Sequence, residues 1–303
     1  MKSSNIGGQA VMEGVMMRNA DKYAVAVRKT DGKIVVKTEE YKGIVQNKKI
    51  RSLPIIRGVF SFIDSMVLGM STLTYSASFF MDEEEEEKDE KKESVMMGLT
   101  IACSVVMAVA IFMILPYFLS QLFRKVTDST TLITLLEGAV RLVIFFGYIL
   151  LISRMKDIQR VFMYHGAEHK CINCIEHGME LNVENVLKSS RLHKRCGTSF
   201  LFIVMIVSII FFLFIRIESP IWRVVFRLLL IPVIAGVSFE FIRLAGKSEN
   251  KLVIFLSKPG MMLQKLTTRE PDASMAEVAI ASVEAVFDWR AYLKENFGWQ
   301  EKV

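Results

Sequence analysis

Four stretches of this chain, roughly 95 to 119, 132 to 153, 199 to 217 and 221 to 245, stay apolar for about the 20 residues that a helix needs to cross a bilayer. A soluble domain has no room to bury all four. With 52% hydrophobic residues, a mean hydropathy of +0.36 and 18 methionines in 303 residues, the composition agrees with a membrane protein. The first pair is joined across TDSTT and the second across ESP, Glu218 to Pro220, so the stretches predict two helical hairpins. Residues 154 to 198 carry eight Lys or Arg, whereas the first connection has only Arg124 and Lys125. The positive-inside rule then places the middle loop in the cytosol, and an even number of spans puts both termini there too. The N-terminal MKSSNIGGQAVMEGVMMR lacks the apolar core of a signal peptide, so no cleavage is expected.

The fold class expected is a mainly α membrane protein of about four transmembrane helices in two hairpins, with a small N-terminal β-hairpin and cytosolic helices. In YAVAVRKTDGKIVVKTEEY, apolar and polar residues alternate on both sides of Asp31-Gly32, which is the hairpin signal. Seven segments follow: a cytosolic β-containing part at 1–54, an amphipathic interfacial helix at 55–81 and an acidic linker at 82–94. The first hairpin at 95–153, a cytosolic loop at 154–198, the second hairpin at 199–246 and a cytosolic tail at 247–303 complete the chain. Residues 55 to 81 are apolar but carry Arg57, Asp64 and a stripe of small or polar residues (Gly58, Ser61, Ser65, Gly69, Thr72, Ser76), which favours a helix lying on or beneath the membrane over one that crosses it. DEEEEEKDEKKE, Asp82 to Glu93, has nine acids and three lysines and reads as a solvated linker; without it the remainder is +12, against +6 overall. That basic excess suits anionic lipid as partner and not nucleic acid, since no basic patch interleaved with aromatics is visible. Ser274 and Glu277 form a capping box ahead of AEVAIASVEAVFDW, so a helix is expected near the C-terminus.

The chemistry is concentrated in YHGAEHKCINC, residues 164 to 174. His165, Glu168 and His169 fit H-x-x-E-H, the inverted metalloprotease pattern, in which histidines at i and i+4 share a helical face and the glutamate works on water. Cys171 and Cys174 form C-x-x-C, which with His193-x-x-Cys196 has the spacing of a closed structural zinc site. The four cysteines do not suggest a disulfide framework, because Cys103 lies in an apolar run and the others stand beside histidines. The histidine reading is preferred, as one turn of helix already brings its pair together. It makes Glu168 the candidate catalytic residue, with His165, His169, and His193 or Cys196 binding a divalent metal, zinc by residue type. Gln9, Glu13, Arg18, Arg195 and Glu240 are candidate site lining, Glu240 as a distant carboxylate. Glu137 and Arg141, at i and i+4, are expected to pair within a span, and Arg223 and Arg227 to snorkel.

GGQAVMEGVMMR at 7–18, YHGAEHK at 164–170, RLHKRCGTSF at 191–200 and LTTREPD at 266–272 resemble the YqhQ-like family of bacterial membrane proteins. Its members are of unknown function and are described as predicted metal-dependent enzymes. The resemblance spans nearly the whole chain and implies a multi-pass protein of the bacterial inner membrane with a metal site. The chain departs from the family pattern at Cys171, where Thr is usual, and at Lys194, where Pro is usual, so Cys171 and Cys174 would not be family ligands. Two functions then stand: a metal-dependent hydrolase acting at the cytosolic face on a lipid-linked or membrane-protein substrate, or a non-enzymatic assembly or insertion factor whose metal is structural.

Overall fold

Alternating side chains build a sheet at the N-terminus before any helix begins. The computed structural model describes residues 2–80, 90–215, 217, 219–247 and 250–300. Strands β1 (Gly7–Val11), β2 (Gly14–Asn19), β3 (Lys22–Arg28) and β4 (Ile34–Glu40) form an antiparallel meander in sequence order. The hairpin expected at Asp31-Gly32 is β3–β4, with Arg28 opposite Ile34 and Lys22 opposite Glu40. Its connection is a loop over residues 29–33, held by Lys29 N–H on the Lys33 carbonyl and closed by Gly32 at φ 82°. GGQAVMEGVMMR, expected only as site lining, makes a second hairpin, β1–β2. The sequence hid it because β2 is buried on both faces and so shows no alternation.

The helices are α1 (Lys48–Ser52), α2 (Ile56–Ala77), α3 (Glu90–Val109), α4 (Leu115–Gln121), α5 (Thr130–Ile152), α6 (Lys156–Glu176) and α7 (Val183–Lys188), then α8 (Gly197–Leu213), α9 (Pro220–Lys247), α10 (Lys251–Thr267), α11 (Ala273–Glu284) and α12 (Trp289–Phe297). Among the described residues, four helical stretches are long and apolar enough to cross a membrane: Ile56–Phe80, Val95–Lys125, Thr130–Ile152 and Ile221–Gly246. The number matches the expectation, but the set differs. α2 qualifies by length and composition, whereas the third expected span is a helix of 17 residues, Gly197–Leu213. Residues 82–89 of the acidic run lie outside the described residues, and its last residues, from Glu90 on, already belong to α3. α11 is capped by Asp272, whose Oδ1 accepts the Met275 N–H at 2.9 Å, and not by the expected Ser274–Glu277 box; Glu277 pairs with Arg28 instead.

The chain divides into two units. The first comprises Met1–Phe80, Ser153–Ile203 and Ala235–Val303. In it, successive strand residues point to opposite faces. Val15, Met17, Ala24 and Ala26 share one core with Tyr164, Ile172 and Ile175 of α6, Val278 and Val283 of α11, and Leu293 of α12. Val11, Met16, Val25 and Val27 face the other way, onto Leu68 of α2, with Tyr75, Phe79 and Phe80 packed around them. The buried stripe of α2 includes Gly58, Asp64, Gly69, Thr72 and Ser76, and Asp64 accepts from Tyr41 Oη and the Ile44 N–H.

The second unit, Met81–Ile152 with Val204–Ile234, is organised by charge. A π-turn over residues 110–114 precedes Pro116, which has no N–H to give to the Phe112 carbonyl. Arg141 Nε donates to that carbonyl instead, at 2.9 Å. Its guanidinium also pairs with Glu137 at 2.9 Å, as expected, and reaches Ser208. Arg227 does not snorkel. It is 3% exposed and grips both Glu137 oxygens, because an arginine placed that deep needs a counter-charge.

Candidate metal centre

From Gly166 to Glu176, every residue of α6 is buried, although half of them are polar. Burying such groups is costly unless each finds a partner, so the helix is best understood through its hydrogen bonds. Lys170 Nζ donates to the carbonyls of Leu187 and Ser189, both at 2.8 Å, and Asn173 Nδ2 to those of Ser190 and Leu192. His169 Nδ1 takes the Arg191 carbonyl at 2.6 Å. Gln264 of α10 grips His193 twice, accepting its N–H at 2.8 Å and donating to its carbonyl at 2.7 Å. A strap with little secondary structure of its own is thus held carbonyl by carbonyl, and it delivers Cys196 to α6.

A second strap arrives from the other side. At Gly166, a Cβ would collide with the Arg269 carbonyl, so only glycine lets the TTREPD segment lie against the helix. Arg269 N–H donates to the Phe162 carbonyl at 2.8 Å, and His165 Nδ1 meets the Thr267 carbonyl at 2.9 Å. A carbonyl only accepts, so Nδ1 of both His165 and His169 must carry the proton. Both Nε2 atoms are therefore left as lone-pair donors. A ring nitrogen of each histidine and Cys196 Sγ lie within 4.8 Å of one another, with His165 Nε2 3.2 Å from the sulfur. A tetrahedral zinc spaces such atoms about 3.3 to 3.7 Å apart, so a small contraction would fit one. Backbone carbonyls on the outer imidazole nitrogens are the usual support of histidine ligands. The Thr198 hydroxyl and N–H both approach Cys196 Sγ, at 3.2 and 3.4 Å, and so fix its position.

Glu168 completes the group. Its Oε2 is 4.0 Å from His165 Nε2, buried, and without a hydrogen-bond partner. Burial pushes this carboxyl up to about 7, with His165 and a Gly8 backbone hydrogen bond opposing the rise. Gly8 has to be glycine, since a Cβ there would stand 2.9 Å from Glu168 Cγ and 2.6 Å from the Met16 carbonyl.

The other candidates fall elsewhere. His193 joins a separate polar cluster, its Nε2 3.5 Å from Glu176 Oε2, while its ring centre stays 5.7 Å from that of His169. Arg195 bonds Ser3 and the same Glu176. Burial raises the Glu176 carboxyl, but His193, Arg195 and the Ser4 N–H together hold it down at about 2. Sequence reading had passed over Glu176, as it had Lys170, Asn173 and Gln264. Cys171 and Cys174 sit in the apolar core, away from the His165–His169–Cys196 group. Burial pushes the Cys174 thiol up to about 12, and that of Cys171 well above its ordinary range. Glu240 pairs with Arg57 at 2.5 Å. Glu13, in the β1–β2 turn at φ 48°, pairs with Arg160 at 2.5 Å. Gln9 and Arg18 line a cleft of about 400 Å³ together with Gly7 and Gly8, so they border the site only through Gly8.

Comparison with known proteins places this architecture in one group. Residues 53–289 match the family described as "Protein of unknown function (DUF1385)". The chain is similar to "Uncharacterized protein YqhQ" of Bacillus subtilis (strain 168), 36% identical over 301 residues that cover 96% of this chain and 94% of the relative. No solved structure matches.

Proposed function

Since the chain belongs to the DUF1385 family, whose function is unknown, its own geometry has to carry the reading, and we propose a multi-pass membrane protein that holds a divalent metal with His165, His169 and Cys196. The donor set, two imidazoles and a thiolate, suits zinc. The observation that supports this most is the shared tautomer: both histidines are pinned at Nδ1, which leaves both Nε2 lone pairs for a metal, and His165 Nε2 already lies 3.2 Å from Cys196 Sγ. Three protein ligands leave a tetrahedral metal one position for water or substrate, where it would supply Lewis-acid chemistry. Glu168, buried with its Oε2 4.0 Å from His165 Nε2 and without a hydrogen-bond partner, would accept the proton of an attacking water and return it to the leaving group. The reading is thus a hydrolase at the cytosolic face, acting on a lipid-linked or membrane-protein substrate.

The shared core supports one topology. The sheet, α6 and α11 pack together, which suits an N-terminal part, a 154–198 loop and a C-terminal tail that all face the cytosol, the side the positive-inside rule gives the loop. α2 packs at its start against Gly236 and Phe239 of α9 and at its end against the sheet, an arrangement that suits a helix staying on that side. One observation favours the non-enzymatic alternative: His169 and Cys196 are almost fully buried, as structural metal ligands often are. Metal analysis of the purified protein should find bound metal, lost in His165→Ala and His169→Ala and kept in Cys171→Ser and Cys174→Ser. Loss with the cysteines and retention without the histidines would overturn the site. Glu168→Gln separates the two functions, since a catalytic site keeps metal and loses activity, while a structural one loses neither.

A further inference from the structure

α10 carries an apolar face that the described residues leave uncovered. Leu252, Phe255, Leu256 and Met262 are 64%, 65%, 45% and 63% exposed. At 3.6 residues per turn they fall on one arc, while Gly260, Gln264 and Thr267 are buried against His193, Thr198 and Ser199, on either side of Cys196. Lys251, Lys258 and Lys265 recur every seven residues, so they form a row along one edge of the exposed arc. All three are exposed, and none makes an ion pair among the described residues. The row ends at a cleft of about 550 Å³, lined by Lys265, Arg191 and Arg269. Its one carboxylate, Glu270, is already engaged by Lys170 at 2.9 Å and Arg191 at 3.3 Å.

We propose that α10 lies in the membrane–water interface, with its apolar arc among acyl chains and with Lys251, Lys258 and Lys265, continued by Arg191 and Arg269, binding the phosphates of anionic phospholipids. An apolar arc edged by lysines is how helices lie in that interface. The alternative occupant, a second copy of the chain, would bring two lysine rows together with no acids between them, whereas a leaflet of anionic lipid complements them. Position agrees: α10 starts four residues after α9, one of the helices apolar enough to cross, so the chain has no length in which to leave the surface. The same helix gives its Thr267 carbonyl to His165 and its Gln264 amide to His193, so the candidate metal centre is held at headgroup level. The inference rests on the membrane part of the proposed reading and is independent of the metal.

The test uses full-length protein in nanodiscs of phosphatidylcholine, with and without phosphatidylglycerol. A spin label on Phe255→Cys, with Cys103→Ser to silence the other exposed thiol, should be reached by oxygen and shielded from a water-soluble nickel complex. A label on Lys258→Cys should lie at headgroup depth. Each lysine near an anionic surface is worth about fivefold in binding, so K251Q/K258Q/K265Q should weaken phosphatidylglycerol retention, read by native mass spectrometry, by on the order of 100-fold while metal content stays as in the wild type. A nickel-accessible label at 255 in well-incorporated protein, unchanged lipid retention in the triple variant, or a dimer sealed through α10 would each overturn the proposal. Failure of the wild type to enter nanodiscs would overturn the membrane reading, and this inference with it.

Discussion

At the scale of single residues, the buried carboxyl of Glu168 makes the clearest demand. Its pKa is raised to about 7, so the folded protein, free of any metal, holds a proton there that the unfolded chain has released by about pH 5. The folded state binds more protons in that interval, so stability is full below the unfolded value and falls as pH rises from about 4.5 through 7. Glu168→Gln cannot titrate and should flatten that slope, leaving the metal-free variant more stable than the metal-free wild type at pH 8 in denaturant melts. Parallel profiles for the two proteins would contradict the burial described. Glu176 behaves oppositely: its depressed carboxyl stabilises the fold at neutral pH and loses that contribution as pH falls from about 4.5 toward 2.

At the scale of elements, two helices depend on close approaches that a single atom would spoil. Gly166→Ala puts a methyl into the Arg269 carbonyl and pushes away the strap whose Thr267 carbonyl fixes His165. Loss of such outer-sphere support typically weakens metal binding about 10- to 100-fold, which chelator competition would measure. An unchanged affinity would show that the strap does not hold the histidine. In α5, Glu137 answers two buried arginines, and Arg141 in turn fills the carbonyl left over by Pro116. Glu137→Gln strands both charges, and breaking a buried pair costs about 3–5 kcal/mol. Thermal unfolding in detergent should show a clear drop in Tm for Glu137→Gln and a smaller one for the surface variant Glu184→Gln.

At the scale of the whole molecule, the prediction concerns sides of the membrane. Reporter fusions after Leu122 and after Asn182 should report opposite faces, and a fusion at the N-terminus should agree with the one after Asn182, because the sheet and α6 share a core. Agreement between the first two would sink the topology. Disagreement between the last two would mean that α2 crosses.

What the sequence by itself determined is whatever depends on local pattern. Long apolar runs marked three of the helices long enough to span, though not Ile56–Phe80, alternation about Asp31-Gly32 marked β3–β4, and spacing alone placed His165 and His169 on one face of α6. The structure decided what depends on distant partners. The choice of Cys196 over His193 beside the histidines follows from a strap whose carbonyls are captured by Lys170, Asn173, His169 and Gln264, three of them on α6 and one on α10. The β1–β2 hairpin stayed hidden because burial on both faces erases its periodicity, and Asp272 took the cap expected of Ser274 because its carboxylate reaches the Met275 N–H. Arg227 looked free to snorkel until its counter-charge, ninety residues away, was brought beside it. Periodicity records which face of a segment is buried, but not which distant group will satisfy a buried polar atom, and in this protein that second question selects the residues of the candidate site.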